Sequence, residues 1–245
     1  MKFTKNKNIL KSDIEFDSKI YKDGTYLKKN SNWHQEDSLW KSEQIAKLLS
    51  LNGINPKTFC EVGCGAGGVL KELSFVYKES ELYGFEISPQ AYELSKSNAS
   101  ERVHFKFGDI FEKDHNFDVL LCLDVFEHVP NYIDFIFNLK PLGEFKVFHI
   151  PLDISVLSVL SGRMTNSRRS MGHLHYFTAD SAIYTLKDCG YNILGSFYTA
   201  GFLRPSRSVK LSSKIARLPR KFLHKLSPSL TAKFLGGCSL LVLAK

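Results

Sequence analysis

Phe59-Cys60-Glu61-Val62-Gly63-Cys64-Gly65-Ala66-Gly67-Gly68 carries a short apolar run into a carboxylate and then into a glycine-rich turn. An apolar, helix-compatible segment from Val69 to Tyr77 follows. Strand, tight turn and helix opening, in that order, are the layout of a crossover whose turn faces a ligand. Glycines let backbone approach that ligand where any Cβ would collide. Gly63, Gly65 and Gly68 also satisfy the dinucleotide spacing G-x-G-x-x-G, which alone is weak evidence. Glu61, just before the first glycine, weighs against it. A pyrophosphate is held by bare N–H groups and a helix dipole. A carboxylate at the strand end opposes such a ligand and suits one with an ammonium group. Without any ligand, Glu61 would merely cap a tight loop.

Further acids follow at the ends of further strands. Glu81 to Glu86 reads as a second strand, and Glu86 lies 23 positions after Gly63. An acid at about that distance sits at the strand tip, within reach of both hydroxyls of a ribose. Val103 to Phe107 alternates as a third strand and runs into Gly108-Asp109-Ile110, where Asp109 can take an adenine amino group. Phe117 to Leu123 is an apolar fourth strand, followed by Asp124-Val125-Phe126-Glu127-His128-Val129-Pro130. A fifth strand from Phe145 to Ile150 stops at Pro151, a sixth spans Tyr191 to Tyr198, and a last one Cys238 to Ala244. Asp37 or Ser38 can cap a helix to about Leu51, with Leu39, Ile45, Leu48 and Leu49 as its apolar stripe. Another helix from about Ala179 to Asp188 ends at Gly190. Strands separated by helical patterns imply a parallel sheet with helices on both faces.

In combination, EVGCGAG, the acid of GFEIS, GDI and LDVFEHV resemble the motifs of class I S-adenosylmethionine-dependent methyltransferases, in the small-molecule branch that holds ubiquinone-pathway and sugar methyltransferases. The segment GHLHYFTADSAIYTLKDCGY is similar to the helix and strand that follow the fifth strand in that branch. The likeness covers roughly Tyr26 to Tyr198 and the last strand. It implies an α/β, Rossmann-like, seven-stranded and mostly parallel sheet with helices on both faces. The last strand would insert antiparallel between the fifth and sixth. It implies S-adenosyl-L-methionine as cofactor, with Glu61, Gly63, Gly65 and Gly67 at the methionine end. Glu86 would hold the ribose with Ile87 beside it, Asp109 and Ile110 would flank the adenine, and Leu123 and Asp124 would lie beside the sulfonium. An N-terminal segment often closes over the cofactor in this family. Tyr26 and Trp33 suit such a lid, because aromatic faces attract a sulfonium; they could equally staple the first helix to the sheet.

Composition is compatible with this class. The chain has 245 residues, 43% of them hydrophobic and 24% charged, enough for one sizeable core. The expected organisation is an N-terminal arm or lid over residues 1–35 and a methyltransferase domain over 36–245, with insertions at 152–177 and 201–236. No run of 18 apolar residues occurs and no secretory signal is expected at the N-terminus. The cysteines Cys60, Cys64, Cys122, Cys189 and Cys238 read as buried thiols of a cytoplasmic protein. Charge is uneven: residues 151–245 hold 14 Lys+Arg against 3 Asp+Glu, whereas residues 1–150 hold 19 against 22. In the second insertion Leu211, Ile215, Leu218, Phe222, Leu223 and Leu226 recur at helical spacing, broken near Pro219. Such a basic amphipathic segment, over 203–234, can lie on anionic lipid, line a site for an anionic acceptor, or pack as an ordinary cap. It lacks the interleaved aromatics of a nucleic-acid platform, so no nucleic-acid partner is expected.

A methyl transfer to a hydroxyl needs alignment, exclusion of water and a proton acceptor. His128 follows the fourth strand at the edge where the methyl should sit and is the first candidate base. His149, near the end of the fifth strand, and His175, on the first insertion beside His173, are further candidates. Asp124-x-x-Glu127-His128 resembles the E-x-x-E-H cluster linked to a divalent cation in ubiquinone-pathway enzymes, and could bind Mg²⁺. The same pattern occurs in metal-independent relatives, so no metal is expected. The reading is O-methylation of a small or carrier-linked metabolite, such as an anionic sugar or a lipid-carried intermediate. N-methylation of an amino sugar, a binding protein without activity and a nicotinamide-dependent oxidoreductase remain open, as does the oligomeric state.

Overall fold

The computed structural model describes residues 35–112, 115–204 and 211–245, with side chains from residue 217 onward in the last stretch. Tyr26 and Trp33, and with them the expected lid, lie outside the described residues. The strands are β1 (Thr58–Val62), β2 (Glu81–Glu86), β3 (Val103–Phe107), β4 (Phe117–Leu123), β5 (Gly143–Pro151), β6 (Ile193–Ala200) and β7 (Cys238–Ala244). They form a single seven-stranded sheet in the order β3-β2-β1-β4-β5-β7-β6. Neighbours from β3 to β5 pair in parallel, and β7 runs antiparallel between β5 and β6, as expected. The order reverses between β1 and β4, which leaves a crevice at their carboxyl ends.

The helices are α1 (Ser38–Leu51), α2 (Gly68–Val76), α3 (Pro89–Ser95), α4 (Tyr132–Leu139), α5 (Val156–Leu160), α6 (Arg163–Met171), α7 (Ala179–Asp188), α8 (Leu211–Leu226) and α9 (Pro228–Phe234). Successive strand residues feed opposite layers of core. Phe59, Leu121, Val147 and Leu241 pack with Ile45 and Leu48 of α1 and Leu70 and Leu73 of α2. Their neighbours Cys60, Leu120, Phe148 and Leu240 pack with Ile136 of α4, Leu186 of α7 and Ala232 of α9. That alternation is the period of a strand covered on both sides. Phe59 and Phe148 are fully buried, each stabilising the fold by roughly 2–3 kcal/mol. All five cysteines are buried and unpaired.

Two local expectations change. Asp37 stands at the N-cap of α1 without a side-chain capping bond. Its carboxylate instead pairs with the Arg204 guanidinium, which stacks over the Trp40 ring. Nor does Pro219 break the second insertion's helix: α8 runs through it from Leu211 to Leu226. A proline removes one ladder bond, and Pro219 is on the exposed side, where water can satisfy the carbonyl that loses its donor.

Gly84 of β2 shows how closely the glycine turn sits on the sheet. A Cβ there would fall 2.7 Å from Cys64 Sγ and 2.8 Å from the Phe105 ring. We expect Gly84→Ala to destabilise the protein by about 1–3 kcal/mol, read as a lower urea midpoint with an unchanged slope.

Candidate active site

The parallel strands bring their carboxyl ends to one edge, and each of β1, β2 and β4 delivers an acid there. The turn after β1 has positive φ at Gly63 (65°), Gly65 (56°) and Gly67 (77°), a region that side chains disfavour. Gly63 and Cys64 donate from their backbone N–H to the Phe85 carbonyl at 2.8 and 3.1 Å. Gly65 N donates to Glu86 Oε2 at 2.8 Å, and Ser88 N to Glu86 Oε1 at 2.7 Å. Glu86 thus ties the glycine turn to the end of its own strand. Burial pushes its carboxyl up, and these N–H groups work against that rise.

Glu61 is 4% exposed, and its Oε2 has no hydrogen-bond partner among the described residues. Burial, opposed by Lys41 and reinforced by Glu86 and Asp124, pushes its carboxyl up to about 8. An orphaned acid in such a place is the complement of a cationic ligand.

Asp124, the residue after β4, is the single described non-glycine residue with positive φ, at 54°. It earns that strain as a hub: Lys41 Nζ donates to Oδ2 at 2.6 Å and His149 Nδ1 lies 2.7 Å from Oδ1. Burial pushes the Asp124 carboxyl up, but His149 and Lys41 outweigh it and hold it well below the usual range. Lys41 is raised in turn: burial lowers it, yet Asp124, Glu61 and Glu127 lift it above its ordinary value. His149 Nε2 meets Thr199 Oγ1 at 2.9 Å, so both ring nitrogens have partners.

A second constellation lies beside the first. Glu127 is buried with both carboxylate oxygens unpartnered among the described residues. Burial, then the Asp124 charge, raises its carboxyl well above the ordinary value. His128 Nε2 lies 3.8 Å from Glu127 Oε1, and His128 Nδ1 faces the Gly172 carbonyl at 3.1 Å. Burial and the nearby His173 lower His128 to about 4. His173 is held by Asp153 at 2.5 Å and meets His128 edge-to-face. Donor atoms of Glu127, His128 and His173 fall within 4.8 Å of one another, whereas the Asp124 carboxylate is taken by Lys41 and His149.

The remaining expected residues are placed as follows. Leu123 closes β4 opposite His149 in register. Asp109 Oδ1 accepts from Phe111 N at 3.2 Å, and burial raises its carboxyl. Ile110 is buried and Ile87 exposed. His175 donates from Nε2 to the carbonyls of Val129 and Pro130 at 3.0 and 3.1 Å and stacks near Tyr132, fixing the loop after His128. Lys41, Asp153 and Thr199 are not among the expected site residues. Lys41 carries a signal: it sits at i against Ile45 and Leu48 at i+4 and i+7, a cation in an apolar stripe.

A family model described as a methyltransferase domain matches residues 33–195, two thirds of the chain. The chain belongs to the class I S-adenosylmethionine-dependent methyltransferase family. It is similar to a mitochondrial ubiquinone biosynthesis O-methyltransferase of Schizosaccharomyces pombe, at 33% identity over 38% of this chain and 37% of that protein. It is also similar to a ubiquinone biosynthesis O-methyltransferase of Nitrosomonas europaea, at 30% identity over 41% and 48%. These matches thus span less than half the length of those relatives. In fold, the chain resembles magnesium protoporphyrin IX methyltransferase of Synechocystis PCC 6803 with bound SAH (TM-score 0.57, 17% identity, 84% and 82% covered). The plantazolicin methyltransferase BpumL gives a TM-score of 0.58 at 16% identity, with 93% and 92% covered.

The raised Glu61 carboxyl has a consequence for stability. Between about pH 4.5 and about 8 the unfolded chain releases this proton while the ligand-free fold keeps it. Stability from this residue therefore falls as pH rises through that window. Glu61→Gln should stabilise the ligand-free protein near pH 8, by about a few kcal/mol at most, and have little effect near pH 4.5. Thermal unfolding at the two pH values checks this.

Proposed function

We propose that this methyltransferase moves the methyl group of S-adenosyl-L-methionine to an oxygen of a small or carrier-linked, anionic acceptor. The observation that carries the reading is the buried Glu61 carboxyl, whose Oε2 has no hydrogen-bond partner among the described residues, beside a turn of left-handed glycines. That arrangement fits a ligand with an α-ammonium and no phosphate. Glu61 with Gly63, Gly65 and Gly67 would hold the methionine end, Glu86 the ribose, and Asp109 with Ile110 the adenine. Leu123 and Asp124 would border the sulfonium. When bound, the cofactor supplies an activated methyl on a good leaving group, so the chain's task is alignment and proton removal.

His128 is the proton acceptor in this reading. The Gly172 carbonyl can only accept, so Nδ1 carries the proton and Nε2 is left as the basic nitrogen. With its pKa near 4 in the ligand-free state, the imidazole is neutral at neutral pH. As an acceptor hydroxyl loses its proton to Nε2, the charge formed is stabilised by the Asp124 and Asp153 carboxylates, the latter bonded to the neighbouring His173. His149 then acts as a positioning residue that orients Asp124, and His175 as one that fixes the loop. The relatives named O-methyltransferases support oxygen as the acceptor atom. The basic second half of the chain supports an anionic one.

Mass spectrometry of candidate metabolites incubated with labelled cofactor tests the activity. His128→Ala should lower kcat about 10²–10⁴-fold and leave S-adenosylhomocysteine affinity nearly unchanged. Near-normal turnover would point instead to nitrogen, since an amine brings its own lone pair. Turnover should also survive dialysis against a chelator. A loss restored by a divalent cation would assign Glu127, His128 and His173 to an ion.

A further inference from the structure

The two insertions meet on one face. α9 packs against α5, and Gly236 comes so close to Ser155 at the start of α5 that a Cβ would fall 2.8 Å from its Oγ. Arg220 of α8 donates from Nε to the Leu235 carbonyl at 3.2 Å. α8 is therefore anchored, yet its apolar stripe is turned to water. Leu218, Phe222 and Leu226 recur every fourth residue and are 61%, 69% and 68% exposed. Leu160 of α5, at 81%, and Phe234 of α9, at 51%, add to the exposed apolar surface of the same helices. Amphipathic helices in folded domains normally bury this side, and exposed apolar surface of this extent marks a binding surface.

Charge identifies what the surface meets. Residues 189–245 hold ten Lys+Arg and no Asp or Glu. On α8, Arg217, Lys221 and Lys225 accompany the apolar stripe. Arg163 of α6 adds to the positive potential: after burial, its charge is the next influence that disfavours the Arg220 guanidinium. A second copy of this chain would press one surface rich in Lys and Arg, with Asp180 beside Lys233 as an acid at its margin, against another. A nucleic acid would leave the leucines without a partner. An anionic lipid surface satisfies both halves, with acyl chains for the stripe and headgroups for the cations. α8 has 16 residues, and no described helix is long and apolar enough to cross a membrane, so it would lie in the interface.

We propose that α8, with α5 and α9, docks this protein on the surface of an anionic bilayer. The docked face adjoins the acceptor side of the site, because Gly172, the C-cap of α6, faces His128 Nδ1. A membrane-borne acceptor would then meet the site without crossing bulk water. The docking itself does not depend on methyl transfer.

Sedimentation of the full-length protein with vesicles tests this. Vesicles containing phosphatidylglycerol should retain the protein, phosphatidylcholine vesicles should retain it weakly, and high salt should loosen the former. The variant Leu218→Ser/Phe222→Ser/Leu226→Ser should bind at least about tenfold more weakly. Lys221→Gln and Lys225→Gln should each cost about fivefold. Circular dichroism and S-adenosylhomocysteine binding should be unchanged in all three variants, which separates a failure of docking from a failure of folding or of the cofactor reading. The proposal is overturned by equal retention on both kinds of vesicle, by equal binding of the serine variant, or by no retention at all. A dimer that the serine variant dissociates, with no lipid retention, would assign the face to a second copy.

Discussion

A carboxylate oxygen buried with no hydrogen-bond partner among the described residues is the constraint around which this site is organised. Glu61 lies buried in β1, and its Oε2 finds no donor among the described residues. Leaving such a group unpaired is unfavourable by roughly 1–3 kcal/mol, and by more if it is charged. The chain contains the penalty by holding a proton there and by placing Lys41 nearby. Lys41 is shared, however. Its ammonium bonds Asp124 while Glu61 and Glu127 also attract it, so one cation serves three buried acids. The local imbalance of charge is what a cationic ligand would correct.

The topology explains why these groups coincide. Because β1, β2, β4 and β5 are parallel, their carboxyl ends share one edge, and the reversal of strand order between β1 and β4 opens it. Glu86 spends its carboxylate oxygens on backbone N–H groups of two turns, so the glycine turn has a defined shape before any ligand arrives. Asp124 adopts a left-handed backbone because Lys41 and His149 pull its carboxylate from two sides. Preorganisation of this kind favours a ligand whose charge and shape are already anticipated.

Much of the fold was legible in the chain because the strands are bounded by punctuation. β2, β3 and β4 match the expected spans, each ended by an acid or a glycine, β7 matches from Cys238 to Ala244, and α7 from Ala179 to Asp188. Other ends shifted in spite of such marks: β5 runs Gly143–Pro151 rather than Phe145–Ile150, including the proline expected to stop it, and β6 runs Ile193–Ala200 rather than Tyr191–Tyr198, although Gly190 precedes the expected start. Side-chain partnerships were less legible. Asp37 is a capping residue by type but meets Arg204, distant in sequence. The D-x-x-E-H run suggests three donors on one ion, yet the Asp124 carboxylate pairs with Lys41 and His149, and His173 enters from the insertion instead. Long-range pairs of this sort leave no local pattern. Lys41, not among the expected site residues, did leave a mark, as a cation out of place on an apolar face.

The basic second half of the chain and the acidic edge of the sheet divide the labour. One surface carries an excess of positive charge and exposed leucines, the other gathers buried acids at the crevice left by the reversal of strand order. The central claim concerns the second. Titration calorimetry with S-adenosylmethionine at neutral pH, in buffers of differing ionisation enthalpy, measures it most directly. Glu61 should give up its proton when the ammonium arrives, so binding should release protons to the buffer and tighten as pH rises toward 8. Binding without proton release, or a preference for nicotinamide dinucleotide over the methyl donor, would contradict the account.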